Sequence, residues 1–220
     1  MIKQSRHLTE IFRSEMGLGL ALVVCFMIFV LFGIVIFQAQ FAARKWRQVI
    51  RDGDQNALNQ LIANTIDDWQ RKRAPRNQLL AEWNAQQSIA LVAAKSQTIR
   101  VSLLAEPAMT VVAGLHQELQ SVEQVGYNAM VRTVERIMYE MPHISFTDVQ
   151  VDVYTEYRAA DGTRNLVCLM VCKTDRDTVA HSDWESANLS VIAGHWDISH
   201  ASQSKILDPE EKAILSSADQ

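Results

Sequence analysis

Residues 147–173 read TDVQVDVYTEYRAADGTRNLVCLMVCK, and the fold of the distal half of the chain turns on them. Val149, Val151, Val153, Thr155 and Tyr157 alternate with Gln150, Asp152, Tyr154, Glu156 and Arg158. A period of two sends successive side chains to opposite faces of a strand, so one face is buried and the other wet. Ala160-Asp161-Gly162 supplies turn chemistry. The return run, Leu166 to Cys172, is apolar on both sides, as a central strand requires. The stretch therefore predicts an antiparallel hairpin, with Asp152 on the wet face and Lys173 closing the second strand.

Outward from the hairpin, Tyr127 to Met141 is amphipathic at helical spacing and stops at Pro142. Met130, Val131, Val134, Ile137, Met138 and Met141 share one face, and Arg132, Glu135, Arg136 and Glu140 the other. This helix is placed to cover one face of the hairpin. Methionine-rich faces also make adaptable contact surfaces, so Met130, Val134, Met138 and Met141 are the candidate partner-binding residues; the same spacing equally suits an ordinary core. On the other side of the hairpin, Thr174 to Asp177 reads as a loop. Ser182-Asp183-Trp184-Glu185 has the form of a capping box opening a helix that ends near Gly194. Asp208-Pro209-Glu210-Glu211 is a second helix start, short and peripheral.

The stretch before the hairpin domain reads as helical throughout. Asp54 is a good cap, followed by the stripe Leu58, Leu61, Ile62, Ile66 and Trp69. Ala74-Pro75 interrupts it. A further helix is expected from Asn77 to Ala105, with Leu79, Leu80, Trp83, Ala90 and Ala94 facing inward, and another over 108–121 on Val111, Val112, Leu115 and Leu119. At the amino-terminal end, Gly17 to Phe37 holds no charged or strongly polar side chain. About 20 such residues cross a bilayer as a helix. This predicts a retained single-pass anchor over 17–41 rather than a cleaved signal, whose apolar run is shorter. Arg44, Lys45, Trp46 and Arg47 are then the expected membrane-interface residues, with anionic headgroups as partners near Arg44–Arg51.

The expected organisation is a short segment 1–16, the transmembrane helix 17–41, a basic juxtamembrane helical section 42–106, a small acidic α+β domain 107–203, and a peripheral helix or tail 204–220. Charge follows these divisions. Residues 42–100 hold ten Lys plus Arg against five Asp plus Glu, whereas 101–220 hold eight against eighteen. The acidic body disfavours nucleic acid as a partner. Cys168 and Cys172, taken as i and i+4 on one strand, are too far apart for a disulfide. Two unpaired thiols point to a reducing compartment and a cytoplasmic body.

An amphipathic helix, a strand bearing Asp152, a hairpin, and an apolar strand ending in Lys173 together resemble the core of the PD-(D/E)xK nucleases, particularly the membrane-tethered or Mrr-like restriction type. The resemblance covers Tyr127 to Lys173. It implies Asp152 as a metal ligand and Lys173 as the catalytic lysine of a metal-assisted hydrolysis. The chain departs from the pattern at Val171, where the family has an acidic or amide side chain, and a hard cation would lack oxygen ligands there. A zinc set of Cys168, Cys172, His195 and His200 has none of the specific spacings of such sites. His181 beside Asp183 has no nucleophile spaced to join it. No metal and no cofactor is expected. The sequence thus points to a non-catalytic, membrane-anchored accessory or scaffold subunit of a membrane-associated assembly. The alternatives are a membrane-tethered nuclease and a membrane-anchored ligand-sensing module.

Overall fold

In the computed structural model the described residues are 24–38, 54–76, 78–112, 114–158, 162–186, 188–202, 207–211 and 213–216. The chain divides into two units, Met1–Gln48 and Val49–Gln220. In the first, residues 24–38 form a helix, α1. Among the described residues no helix is long and apolar enough to cross a membrane. The single-pass anchor expected over 17–41, and the membrane localisation and cytoplasmic body built on it, are corrected on this finding. The rest of that stretch, and Arg44, Lys45, Trp46 and Arg47, lie outside the described residues.

The second unit is an α/β fold around a mixed five-stranded sheet with five helices among its described residues; α1 of the first unit makes six. This replaces the expected series of transmembrane helix, helical section and small α+β domain. After α2 (Gln55–Arg71) and α3 (Leu80–Gln87) come β1 (Ala90–Lys95) and β2 (Thr98–Leu104), then β3 (Ala108–Val112) and β4 (Leu115–Gln120). Next are α4 (Val122–Glu140), β5 (Asp148–Arg158), β6 (Arg164–Asp175), α5 (Arg176–Ala180), α6 (Leu189–Ile192) and β7 (Asp197–His200). The sheet order is β1-β2-β5-β6-β7, and β3-β4 form a separate two-stranded sheet. β2 and β5 run parallel, while the other neighbours are antiparallel. A parallel pair needs a long crossover. Here α4 provides it, with the β3-β4 ribbon inserted ahead of the helix.

Several elements follow the expected local rules. Asp54 caps α2 by accepting from the Ala57 N–H at 3.1 Å, and Leu58, Ile62, Ile66 and Trp69 are buried from its stripe. Ser121 caps α4 by accepting from the Gln124 N–H. β5 and β6 pair antiparallel from Asp148↔Asp175 to Arg158↔Arg164. Other expectations are corrected. The helix expected from Asn77 to Ala105 is helical only over Leu80–Gln87. The Ser88 hydroxyl donates to the Ala85 carbonyl and accepts from the Leu104 N–H, both at 2.7 Å. It closes α3 and pins the end of β2. Beyond it Ile99, Val101 and Leu103 turn inward at a period of two, and Ser96, at φ 54°, reverses the chain between β1 and β2. Likewise 108–121 is not a helix but the β3-β4 ribbon, turned at Gly114, whose φ of 83° suits glycine.

One face of the sheet carries the main core. Ile99, Val101 and Leu103 of β2, Val149, Val151 and Val153 of β5, and Met170 and Cys172 of β6 pack with α2 and α4. Gly126 lets α4 approach closely, since a Cβ there would lie 2.9 Å from Val153 Cγ1. Arg176 ties α5 to this core by donating from Nε to the Phe146 carbonyl and from Nη2 to the Met138 carbonyl.

Candidate functional site

The second face of the sheet was expected to be wet along β5, and it is not. Gln150 and Asp152 are 0% exposed, and Arg100 of β2, opposite Gln150 in the parallel register, is 1% exposed. Arg100 Nε donates to Asp152 Oδ2 at 2.7 Å, and Gln150 Nε2 donates to Asp152 Oδ1 at 2.7 Å. Residues of the 207–216 segment complete the network. Arg100 Nη1 donates to Glu210 Oε1 at 2.6 Å and to the Leu215 carbonyl at 3.0 Å, and the Ile214 N–H donates to Gln150 Oε1 at 2.9 Å. Buried polar groups need such partners, and a buried charge most of all. Burial pushes the Asp152 carboxyl above its ordinary range, against the pull of the Gln150 and Arg100 donors.

This geometry bears directly on the nuclease resemblance. Both Asp152 oxygens are occupied by protein donors. Lys173 sits opposite Gln150 and Asp197, and Asp152 faces Val171 across the β5-β6 pair. Asp152 and Lys173 are therefore on one sheet, but Asp152 serves a closed clamp rather than an open cation site. Arg100 and Glu210 escaped sequence reasoning. The alternation of Ile99, Val101 and Leu103 with Arg100 and Ser102 was the available signal for the first.

The remaining candidates also find their places. A register shift between Val153 and Tyr154 pairs Cys168 with Tyr154, whereas Cys172 pairs with Val151. Cys172 joins the main core and Cys168 lies on the face of Asp152, so the two cysteines do not share a face as their spacing implied. Burial pushes the Cys168 thiol up to about 12 and the Cys172 thiol upward as well, which keeps both protonated and poor as nucleophiles. Among the described residues no three His, Cys, Asp or Glu side chains cluster as a metal site. His181 Nδ1 lies 2.6 Å from the Asp177 carbonyl. Met130, Val134, Met138 and Met141 are all buried in the core beneath the sheet, so they do not form an exposed contact face.

Besides the apolar side chains of α1, the β3-β4 ribbon of the second unit is exposed. Met109, Val111, Val112, Leu115 and Leu119 are each 50 to 70% exposed. By the register, Met109 and Val111 share one face of the ribbon with His116 and Glu118. Val112, Leu115 and Leu119 share the other with Thr110 and Gln117. Ala108 and Met109 also border a cleft of about 440 Å³ between the ribbon and α3, walled by Leu79, Leu80, Ala85 and Pro107. The β-branched pair Val111-Val112 ahead of Gly114 was the sequence signal for this ribbon. No protein-family model matches the chain, and neither does any curated protein or solved structure. Fold and site define the class: an α/β domain with a closed polar clamp and an apolar two-stranded arm.

Proposed function

We propose that the protein is a non-catalytic accessory or scaffold subunit of a protein assembly, and that the β3-β4 arm is its contact. The observation that carries this reading is the exposure of five large apolar side chains on a ribbon standing outside the main sheet. A two-stranded ribbon is marginal by itself in water and gains stability from a further strand or a covering face. Fully burying one such side chain is worth about 1.5–3 kcal/mol. Among the described residues each strand of the arm has one neighbour only, which leaves an edge for main-chain pairing. The occupant is therefore an extended segment of a neighbouring subunit, adding a strand and seating apolar side chains on the arm. The closed clamp at Asp152 and the protonated thiols support a role without chemistry.

The test is site-specific photo-crosslinking in the native cells of the full chain. Probes go at Val111 and Leu115, with exposed Val191 of α6 as the control. The expected result is a discrete adduct from Val111 and Leu115, mapped by mass spectrometry to one segment of one protein, and none from Val191. Absence of a discrete adduct at both arm positions overturns the reading.

A further inference from the structure

We infer that the cleft between α2, α3 and α4 is a binding site for a small dicarboxylate, with Arg136 taking one carboxylate. The cleft holds about 280 Å³ and is lined by Lys72, Arg73, Trp83, Gln86, Arg132 and Arg136 among others. Arg136 is only 8% exposed. Its guanidinium lies 4.4 Å from the Trp69 ring centroid and 5.8 Å from that of Trp83. The one carboxylate within salt-bridge range among the described residues is Glu140, whose Oε2 is 3.6 Å from Arg136 Nε, longer than a hydrogen bond. That same oxygen is shared with Lys72, also at 3.6 Å.

Beside it Gln86 is 3% exposed, and its Nε2 is buried without a hydrogen-bond partner. Buried donors lacking acceptors are uncommon, and one next to an under-neutralised arginine asks for an explanation. An acceptor-rich anion supplies it. Desolvation lowers the Arg136 pKa against the opposing pull of Glu140, and a bound anion would offset the remaining cost.

Charge and shape select the ligand class. Lys72, Arg73, Arg132 and Arg136 face Glu135 and Glu140 in the lining, an excess of two positive charges. A dianion balances it. A guanidinium presents a planar fork that matches a carboxylate in bidentate geometry. The Trp69 and Trp83 rings beside the guanidinium, at 4.4 and 5.8 Å, add cation–π attraction that favours its charged form there. Lys72, Arg73 and Arg132 stand at the more exposed mouth; Arg132 Nη1 is paired with Glu135 Oε2 at 3.0 Å and Lys72 with Glu140 at 3.6 Å, and the three cations together draw in the second carboxylate.

Calorimetric titration of the full chain with succinate, and separately with inorganic phosphate, tests this. Succinate is expected to bind saturably, and to bind more tightly than phosphate. Arg136→Lys, which keeps the charge and removes the fork, is expected to weaken succinate about tenfold. Because a buried variant can fail to fold, Arg73→Gln with Arg132→Gln at the exposed mouth gives a second reading. That pair is expected to weaken succinate several-fold and to flatten its salt dependence. No saturable succinate binding by the folded chain overturns the inference, as does binding undiminished in the mouth variants. Phosphate bound as tightly as succinate overturns the assignment to carboxylates.

Discussion

Asp152 changes meaning with its surroundings. In the sequence it is an acidic residue on an amphipathic strand, open to a cation or to water. In the fold it is held by Arg100 and Gln150 beneath the 207–216 segment. Removing one member of a buried pair strands the other, at a cost of about 3–5 kcal/mol. Asp152→Ala is therefore expected to lower the unfolding free energy by about that amount in urea titrations. Glu210→Gln, at a side chain 42% exposed, is expected to cost under about 1 kcal/mol. Equal losses from the two would contradict a clamp whose strength resides in its buried half. Asp152 was legible as a residue of interest, but its partner was not. Arg100 is 52 positions away on a parallel strand, and no local pattern encodes a parallel neighbour. Met130 and Met138 teach the same lesson from the other side, since identical spacing serves a core and an exposed groove.

At the scale of elements, local signals held where one period dominated and failed where two competed. The β5-β6 hairpin, α2 and α4 were legible because each shows a single period with a cap or turn at its boundary. Residues 77–121 were not, because alanines, leucines and valines there satisfy a helical stripe and a strand alternation alike. Tertiary pairing of β1 and β2 with β5 decided the matter. The expected capping box at Ser182 fails for a different reason: the Ser182 hydroxyl donates to the Thr178 carbonyl and accepts from Trp196 Nε1. Asn188 caps α6 instead. Asp208 likewise makes only a turn, accepting from the Glu210 N–H, and the chain then runs along Gln150 and Arg100.

The unforeseen helix α5 offers a prediction at this scale. Asp175 caps it, accepting from the Thr178 N–H at 2.9 Å and the Thr178 hydroxyl at 2.7 Å. These bonds hold its carboxyl below the usual carboxylate range. A depressed folded-state pKa gives stability that is present above the unfolded value, ~3.9, and lost as pH falls through the folded value. Asp175→Ala is expected to cost about 0.5–2 kcal/mol at pH 7. The gap between variant and wild type should narrow as pH falls below about 3.9. A gap independent of pH, measured by urea unfolding across that range, would contradict the cap.

Within the second unit, Val49–Gln220, the features combine into a packed core that leaves the apolar side chains of the β3-β4 arm exposed. The sheet is covered by α2 and α4 on one side and by the 207–216 segment over its polar clamp on the other. The arm receives no such cover from its own strands. The acidic half of the chain, fully legible in the sequence, bears on repulsion between bodies rather than on the fold. The central claim is that the arm is where this subunit joins others. Mass of the native, gently purified full chain by light scattering tests it most directly, alongside a Val111→Lys, Leu115→Lys variant. The account predicts a wild-type mass well above the 24.8 kDa of one chain, and a variant that returns to that mass with its melting temperature unchanged. A wild-type chain that already travels alone at 24.8 kDa would contradict it.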